Sequence, residues 1–282
     1  MLKKKTIHYL TTHCPSMAGK TVVVTGANSG IGYKAAEELL ALGTRVVMAC
    51  RNVARAQLAR DALLRDYPKA DVEIRQLDVS SADSIQRFVE GLVGDGVDID
   101  AFVHNAGIFR IHGTTAEGED IVMGTNYSGT RRLAERLLPY LHTLGHEVTM
   151  TFTTSIAYRA GARQPTADVS SMSNLKVYAT SKLRLTRYAL SLAEQEREAV
   201  SNVRVVLTHP GISITAIATK AFGERFMKVA QPLGGLLFQS PEKSALAIPL
   251  VLSNPVASGS TYGPRGFMHS WGYPALQTLH VK

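Results

Sequence analysis

Short apolar runs and amphipathic segments alternate along the first half of the chain. Residues 21–25, 45–50, 72–77 and 99–104 are short and rich in valine, isoleucine and other apolar side chains, which predicts strands. Between them, residues 31–42 place Ile31, Ala35, Leu39 and Leu42 on one helical face and run up to Gly43, a natural stop. Residues 53–67 read as a helix ended by Pro68, and residues 81–93 as a helix with Ser81 as N-cap and Ser84 near its first turn. The second half continues the alternation: a helix over 119–144, a strand over 147–154, a helix over 177–198 and a strand over 203–208. A late helix over 241–252 follows Ser240 as a cap, and 260–262 reads as a last edge strand. Parallel strands need crossover connections, and right-handed crossovers lay helices on both faces of the sheet. The prediction is an α/β fold: a single-domain, doubly wound parallel sheet covering residues 18–282. Residues 1–17 read as a tail, and 263–282 as an irregular end.

The 282 residues, 45% of them hydrophobic, supply a core that needs no staples. The formal charge of +8 gives solubility and a weak pull on anions. Basic residues cluster only at Lys3, Lys4 and Lys5, without the stripe that nucleic-acid binding needs. Residues 1–10 are basic but lead into no apolar stretch, so no secretory signal is expected. The longest apolar run, 245–252, contains Pro249 and falls well short of the roughly 18 residues that cross a bilayer. No integral membrane segment is expected, and the location is read as cytoplasmic. Cys14 and Cys50 make no metal or disulfide pattern and suit a reducing compartment. No metal site is expected. Cys50 reads as a buried small hydrophobe, and Cys14, in the tail, as open to exposure.

The chemistry gathers at the ends of the predicted strands. Thr25-Gly-Ala-Asn-Ser-Gly-Ile-Gly32 joins the first strand to the first helix of the domain. A helix N-terminus offers free N–H groups and a positive dipole end to a phosphate. Gly26, Gly30 and Gly32 let backbone and ligand approach, with Asn28, Ser29 and Ile31 completing the turn. A strand-to-helix turn also uses glycine for steric reasons alone. After the second strand, where a carboxylate would bind ribose hydroxyls, stand Arg51 and Asn52. Arg51 can pair a 2′-phosphate or simply be solvated. Asp78, followed by Val79, ends the third strand and can accept from an adenine amino group or serve as a capping Asp. Asn105-Ala106-Gly107 after the fourth strand permits close ligand approach, or is an ordinary turn. Tyr178 and Lys182 lie one helical turn apart. An ammonium beside a phenol favours the phenolate, bringing a group that starts near pKa 10 toward neutral work as general acid or base. Ser155, at a strand's carboxyl end, can hydrogen-bond a carbonyl oxygen.

In this order the motifs resemble the short-chain dehydrogenase/reductase family: Thr-Gly-x-x-x-Gly-x-Gly at 25–32, Asp78, Asn105-Ala106-Gly107, Asn126, Ser155, Tyr178-x-x-x-Lys182 and Pro210-Gly211. Ala-Cys-Arg-Asn at 49–52, the long interval from Ser155 to Tyr178 and Tyr-Ala-Thr-Ser-Lys-Leu are similar to the retinol dehydrogenase-like branch. The resemblance implies a Rossmann fold and hydride transfer between a nicotinamide and a carbonyl or alcohol of a small molecule. It makes Tyr178 the proton donor, Lys182 the holder of the nicotinamide ribose and Ser155 the orienter of the substrate oxygen. Asn126 would kink its helix and hold a relay water, and Pro210-Gly211 would pass beside the nicotinamide. Arg51 points to NADP(H) over NAD(H), although Asn28 and Ser29 lack the basic residue that many NADP-binding members carry in the loop. Retinol-type members begin with an anchoring helix, which residues 1–10 do not resemble; this weighs against a retinoid among the apolar carbonyl substrates, namely steroid, retinoid, lipid aldehyde or aromatic ketone, that an apolar lid implies. Residues 212–238 read as an apolar substrate lid, and the family habit implies a homo-oligomer. Two other readings stand beside this one: an NAD(H)-dependent alcohol dehydrogenase, and a non-catalytic dinucleotide sensor.

Overall fold

A strand covered on both faces must be apolar at successive positions, and Val22, Val23 and Val24 are all fully buried. The computed structural model describes residues 1–164, 168–211, 239–266 and 269–279. Its strands are β1 (Thr21–Thr25), β2 (Arg45–Cys50), β3 (Val72–Gln76), β4 (Ala101–His104), β5 (Val148–Thr153), β6 (Val203–Thr208), β7 (Thr261–Pro264) and β8 (Pro274–Gln277). They form one sheet in the order β3-β2-β1-β4-β5-β6-β7-β8. All pairings are parallel except the antiparallel β7–β8 edge.

The helices are α1 (Lys4–His13), α2 (Gly30–Ala41), α3 (Val53–Asp66), α4 (Ala82–Gly94), α5 (Ile121–Met123), α6 (Thr130–Thr143), α7 (Asn174–Glu198), α8 (Pro241–Ala245) and α9 (Ala247–Ser253). Alternate strand residues serve opposite layers. Val22, Val24, Val46 and Met48 pack with Ala35 and Leu39 of α2, whereas Val23, Val47 and Phe102 pack with Ile85 of α4, Leu133 of α6 and Leu185 of α7. The doubly wound Rossmann sheet with helices on both faces is therefore present. Ser81 caps α4 by accepting from the Ser84 N–H, and Gly43 ends α2's exit turn at φ 88°.

Four features depart from the expectation. The first 17 residues, read as a tail, carry α1, and Leu2, Tyr9, Leu10, Cys14 and Met17 enter the same apolar cluster as α2. Cys14 is thus buried, not exposed. The helix predicted over 119–144 starts at Ile121, widens into a π-turn at Gly124–Gly129 and resumes as α6. A side chain at Gly129 would lie 1.7 Å from the Val79 carbonyl oxygen, so this close crossing requires glycine. The late helix divides into α8 and α9. The irregular end contains β8, which takes over the edge from β7. The lid expected over 212–238 lies outside the described residues.

Candidate active site

Strands β1 and β4 are neighbours whose chain connections leave in opposite directions, which opens a crevice at their carboxyl ends. The Thr25 hydroxyl closes the floor, accepting from the N–H groups of Asn105 and Ala106 at 2.9 Å each. The Asn105 amide donates to the Thr25 carbonyl at 2.9 Å, so this side chain braces the two strands. Gly26 and Gly30 adopt φ of 67° and 57°, the left-handed region that favours glycine. At Gly32 a Cβ would lie 2.4 Å from Asn105 Nδ2 and 2.5 Å from the Gly26 carbonyl oxygen. Ser29 stands at the N-cap of α2 but its side chain makes no capping bond, which leaves first-turn N–H groups to an incoming anion. Asn28 and Ile31 are half-buried around this turn. Glycine at 26, 30 and 32, over a helix start with no side-chain cap, fits the backbone of a dinucleotide.

The rim beyond β2 and β3 holds the other predicted contacts. Arg51 is 64% exposed, with its guanidinium 3.9 Å from Asp78 Oδ2. Asn52 caps α3, accepting from the Arg55 N–H at 2.9 Å. Asp78 Oδ1 accepts from the Ser80 N–H and hydroxyl at 2.9 and 2.6 Å, the local turn that was its alternative reading; its other oxygen faces Arg51. Val79 is buried beneath the π-turn. On the far side, Gly211 follows Pro210 at φ 67°, and the Pro210 carbonyl accepts from the Gln239 amide at 2.6 Å.

Four side chains meet at the carboxyl ends of β4 and β5. Lys182 is 4% exposed and donates through Nζ to the Thr153 carbonyl at 2.9 Å. Its Nζ lies 6.0 Å from the Tyr178 ring centre. The Asn126 side chain is fully buried and makes three hydrogen bonds: Oδ1 accepts from the Ile108 N–H at 2.8 Å, while Nδ2 donates to the Ile108 carbonyl at 3.0 Å and the Ser181 hydroxyl at 3.1 Å. Gly107 lies between Asn126 and Lys182, where a Cβ would be 3.3 Å from Asn126 Oδ1 and 3.5 Å from Lys182 Nζ. The Ser155 hydroxyl lies near the Tyr178 phenol and acts to favour its phenolate.

The electrostatics differ from the expectation at Tyr178. Burial raises the phenol's pKa, and the nearby Ser155 hydroxyl only partly opposes that. Burial also lowers Lys182, to about 8. The ammonium 6.0 Å away does not overcome the phenol's desolvation, so the phenol is held protonated, as a donor must be.

Three partners escaped the sequence reading. Phe109 packs edge-on against Tyr178 with ring centres 5.2 Å apart. Ser181 links Asn126 to the Tyr178 carbonyl, to which it donates at 2.7 Å. Thr153 supplies the carbonyl that anchors Lys182. Ser181 had a signal, because it lies inside the Tyr-x-x-x-Lys turn; backbone acceptors and ring packing leave none.

Comparison with known proteins agrees with this architecture. The family model described as short chain dehydrogenase matches residues 20–225. The chain is 31% identical to human retinol dehydrogenase 13 over 246 residues, covering 82% of this chain and 72% of the relative. It is 30% identical to human retinol dehydrogenase 14 over 261 residues, covering 86% and 76%. A solved structure of an uncharacterized protein from Mycobacterium paratuberculosis superposes with a TM-score of 0.72 at 27% identity, covering 95% of this chain and 88% of that one. The chain belongs to the short-chain dehydrogenase family, near its retinol dehydrogenase branch. Members are oxidoreductases acting on CH–OH groups with nicotinamide cofactors.

Proposed function

We propose that this protein is an NADP(H)-dependent oxidoreductase that interconverts the carbonyl and alcohol forms of a small apolar molecule. The observation that carries the proposal is the meeting of Ser155, Tyr178, Lys182 and Asn126 beside the glycine-walled crevice. The turn at 26–32, with Asn105, Ala106 and Gly107, would hold the dinucleotide backbone, and Pro210-Gly211 would border its nicotinamide. When bound, the reduced nicotinamide supplies a hydride to the carbonyl carbon. Ser155 hydrogen-bonds the carbonyl oxygen, and the protonated Tyr178 phenol gives that oxygen its proton. Lys182 holds positive charge behind the phenol, on a side chain fixed by the Thr153 carbonyl. Asn126 fixes the loop at Ile108.

Arg51 supports NADP(H), because it stands where a ribose-binding carboxylate would otherwise be. Asp78, 3.9 Å from it, tempers that charge and favours the NAD(H)-dependent alcohol dehydrogenase as second reading. Adenine recognition by Asp78, with Asn52 and Val79 alongside, belongs to the same proposal. An apolar substrate is supported by the cluster of Val122, Met123 and Val177, against which Ile108, Met172 and Tyr178 pack. Among the described residues no helix is long and apolar enough to cross a membrane, and both thiols are free; we place the protein in the cytoplasm as a homo-oligomer, checked by fractionation and light scattering.

Fluorescence titration should give a lower dissociation constant for NADPH than for NADH, reversed in Arg51→Asp. Tyr178→Phe should lose at least ~100-fold in turnover on an aldehyde and ketone panel, with NADPH affinity nearly unchanged. Wild-type protein that binds NADPH yet turns over no member of the panel would instead support the sensor.

A further inference from the structure

His209 sits between β6 and the Pro210-Gly211 turn, 2% exposed. Its surroundings define which ring nitrogen carries the proton. Gln277, on the antiparallel edge strand β8, donates through Nε2 to the Pro264 carbonyl at 2.8 Å. A carbonyl only accepts, so the amide nitrogen must face Pro264 and the amide oxygen must face the imidazole. That oxygen lies 2.5 Å from His209 Nε2, which is therefore the N–H donor. The neutral ring then has a bare Nδ1, and Nδ1 accepts the Gly211 N–H at 3.2 Å.

The rest of the turn is built around this link. A Cβ at Gly263 of β7 would lie 2.2 Å from His209 Nε2, so only glycine there admits the ring. Gly211 is equally confined, with φ 67° and a would-be Cβ 2.4 Å from the Ser270 carbonyl oxygen. Gln239 holds the Pro210 carbonyl from one side and accepts from the Gly272 N–H at 3.1 Å on the other.

We propose that His209, oriented by Gln277, is a positioning residue that fixes the Pro210-Gly211 turn for the nicotinamide end of the cofactor. The inference rests on the dinucleotide reading above and adds to it a link between the cofactor wall and the last strand of the sheet. An imidazolium would set a second N–H against that of Gly211, so the link requires neutral histidine. Burial, with His269 and Arg159 nearby, lowers the His209 pKa to about 4 and keeps the ring neutral in the working range.

Three measurements test this. Long-range 15N–1H spectra of the labelled protein should show His209 as the Nε2–H tautomer; an Nδ1–H tautomer or a charged ring at neutral pH overturns the proposal. NADPH titration should show affinity about tenfold weaker in His209→Leu, the size of one good buried hydrogen bond. His209→Asn, which keeps an acceptor for the Gly211 N–H, should recover most of that loss. The cofactor KM should rise in His209→Leu while the alkaline limb of the rate profile stays in place, a split that general loosening of the fold would not give. Should His209→Leu fail to fold, Gln277→Leu at the sheet edge carries the same prediction with a smaller loss. NADPH affinity unchanged in the folded variants overturns this inference alone. A wild-type protein that binds neither NADPH nor NADH overturns the functional reading and this inference together.

Discussion

Lys182 illustrates how the proposed chemistry and stability pull apart in one side chain. Its ammonium is almost fully buried, with the Thr153 carbonyl as acceptor, and burial brings its pKa down to about 8. A lysine whose folded pKa lies below its unfolded value of 10.5 adds no penalty above pH 10.5. It becomes destabilising as pH falls, because the unfolded chain binds the proton first, and the full cost is reached below about pH 8. That cost at pH 7 is roughly 3 kcal/mol, whereas the hydrogen bond to Thr153 returns about 1 kcal/mol. Lys182→Met should therefore remove turnover yet melt at a higher temperature than wild type at pH 7. The difference should shrink as pH rises from about 8 to 10.5. Thermal melts across that window check it, and a gap that widens with pH would contradict the assigned burial cost. The same environment explains why the Tyr-x-x-x-Lys spacing misled about direction at Tyr178: spacing shows that an ammonium is one turn away, but not that both groups are desolvated.

At the level of elements, the glycine turn separates steric from conformational need. Gly30 has positive φ but open space where a Cβ would go; Gly32 is helical but would drive a Cβ into Asn105 and the Gly26 carbonyl. Gly30→Ala should cost about 1–2 kcal/mol of left-handed strain and leave the Asn105 brace in place. Gly32→Ala must displace the brace, so it should lower Tm more and weaken NADPH binding more; equal effects in both variants would refute the distinction. This turn was legible because its strand, loop and helix each carried a local signature, as did the buried runs of β1, β2 and β6. The resemblance implied a kink at Asn126, and the π-turn at Gly124–Gly129 contains that residue; its form was not legible, because the Val79 carbonyl that crosses so close to Gly129 comes from a different element. Strand β8 was missed for a similar reason: Pro274-Ala-Leu-Gln277 has no buried face to give it a period, and its pairing with β7 supplies the order. The site was legible as a set of residue types at strand ends. What binds Asn126, Lys182 and His209 in place was not, since most of those partners are backbone groups brought in by the fold.

Across the whole molecule, the first helix ties sequence-distant segments together at the expense of burying acid. The Lys3 N–H and the Thr6 hydroxyl donate to Glu242 of α8 at 2.8 and 2.5 Å. Asn254, just beyond α9, donates to the His13 carbonyl at 3.0 Å, and Tyr9 stacks on Tyr273 with ring centres 4.8 Å apart. Leu10, 2% exposed, completes this seam, and Leu10→Ala should cost about 2–5 kcal/mol. Under α1 lies Glu38, fully buried, with neither carboxylate oxygen hydrogen-bonded among the described residues. Desolvation first, and the nearby carboxylates Glu242 and Glu37 after it, raise its pKa well above the ordinary value of 4.5, with Lys34 opposing. A raised carboxyl gives stability that is fully present below pH 4.5 and lost as pH climbs toward the folded pKa, because the unfolded chain releases its proton first. Glu38→Gln removes that titration while keeping nearly the same shape. Relative to wild type, the variant's melting temperature should therefore climb as pH rises from 4.5 to 8, whatever constant offset the amide introduces. A difference that stays flat across this range would mean that Glu38 ionises freely in the folded protein, and that α1 does not seal it from water.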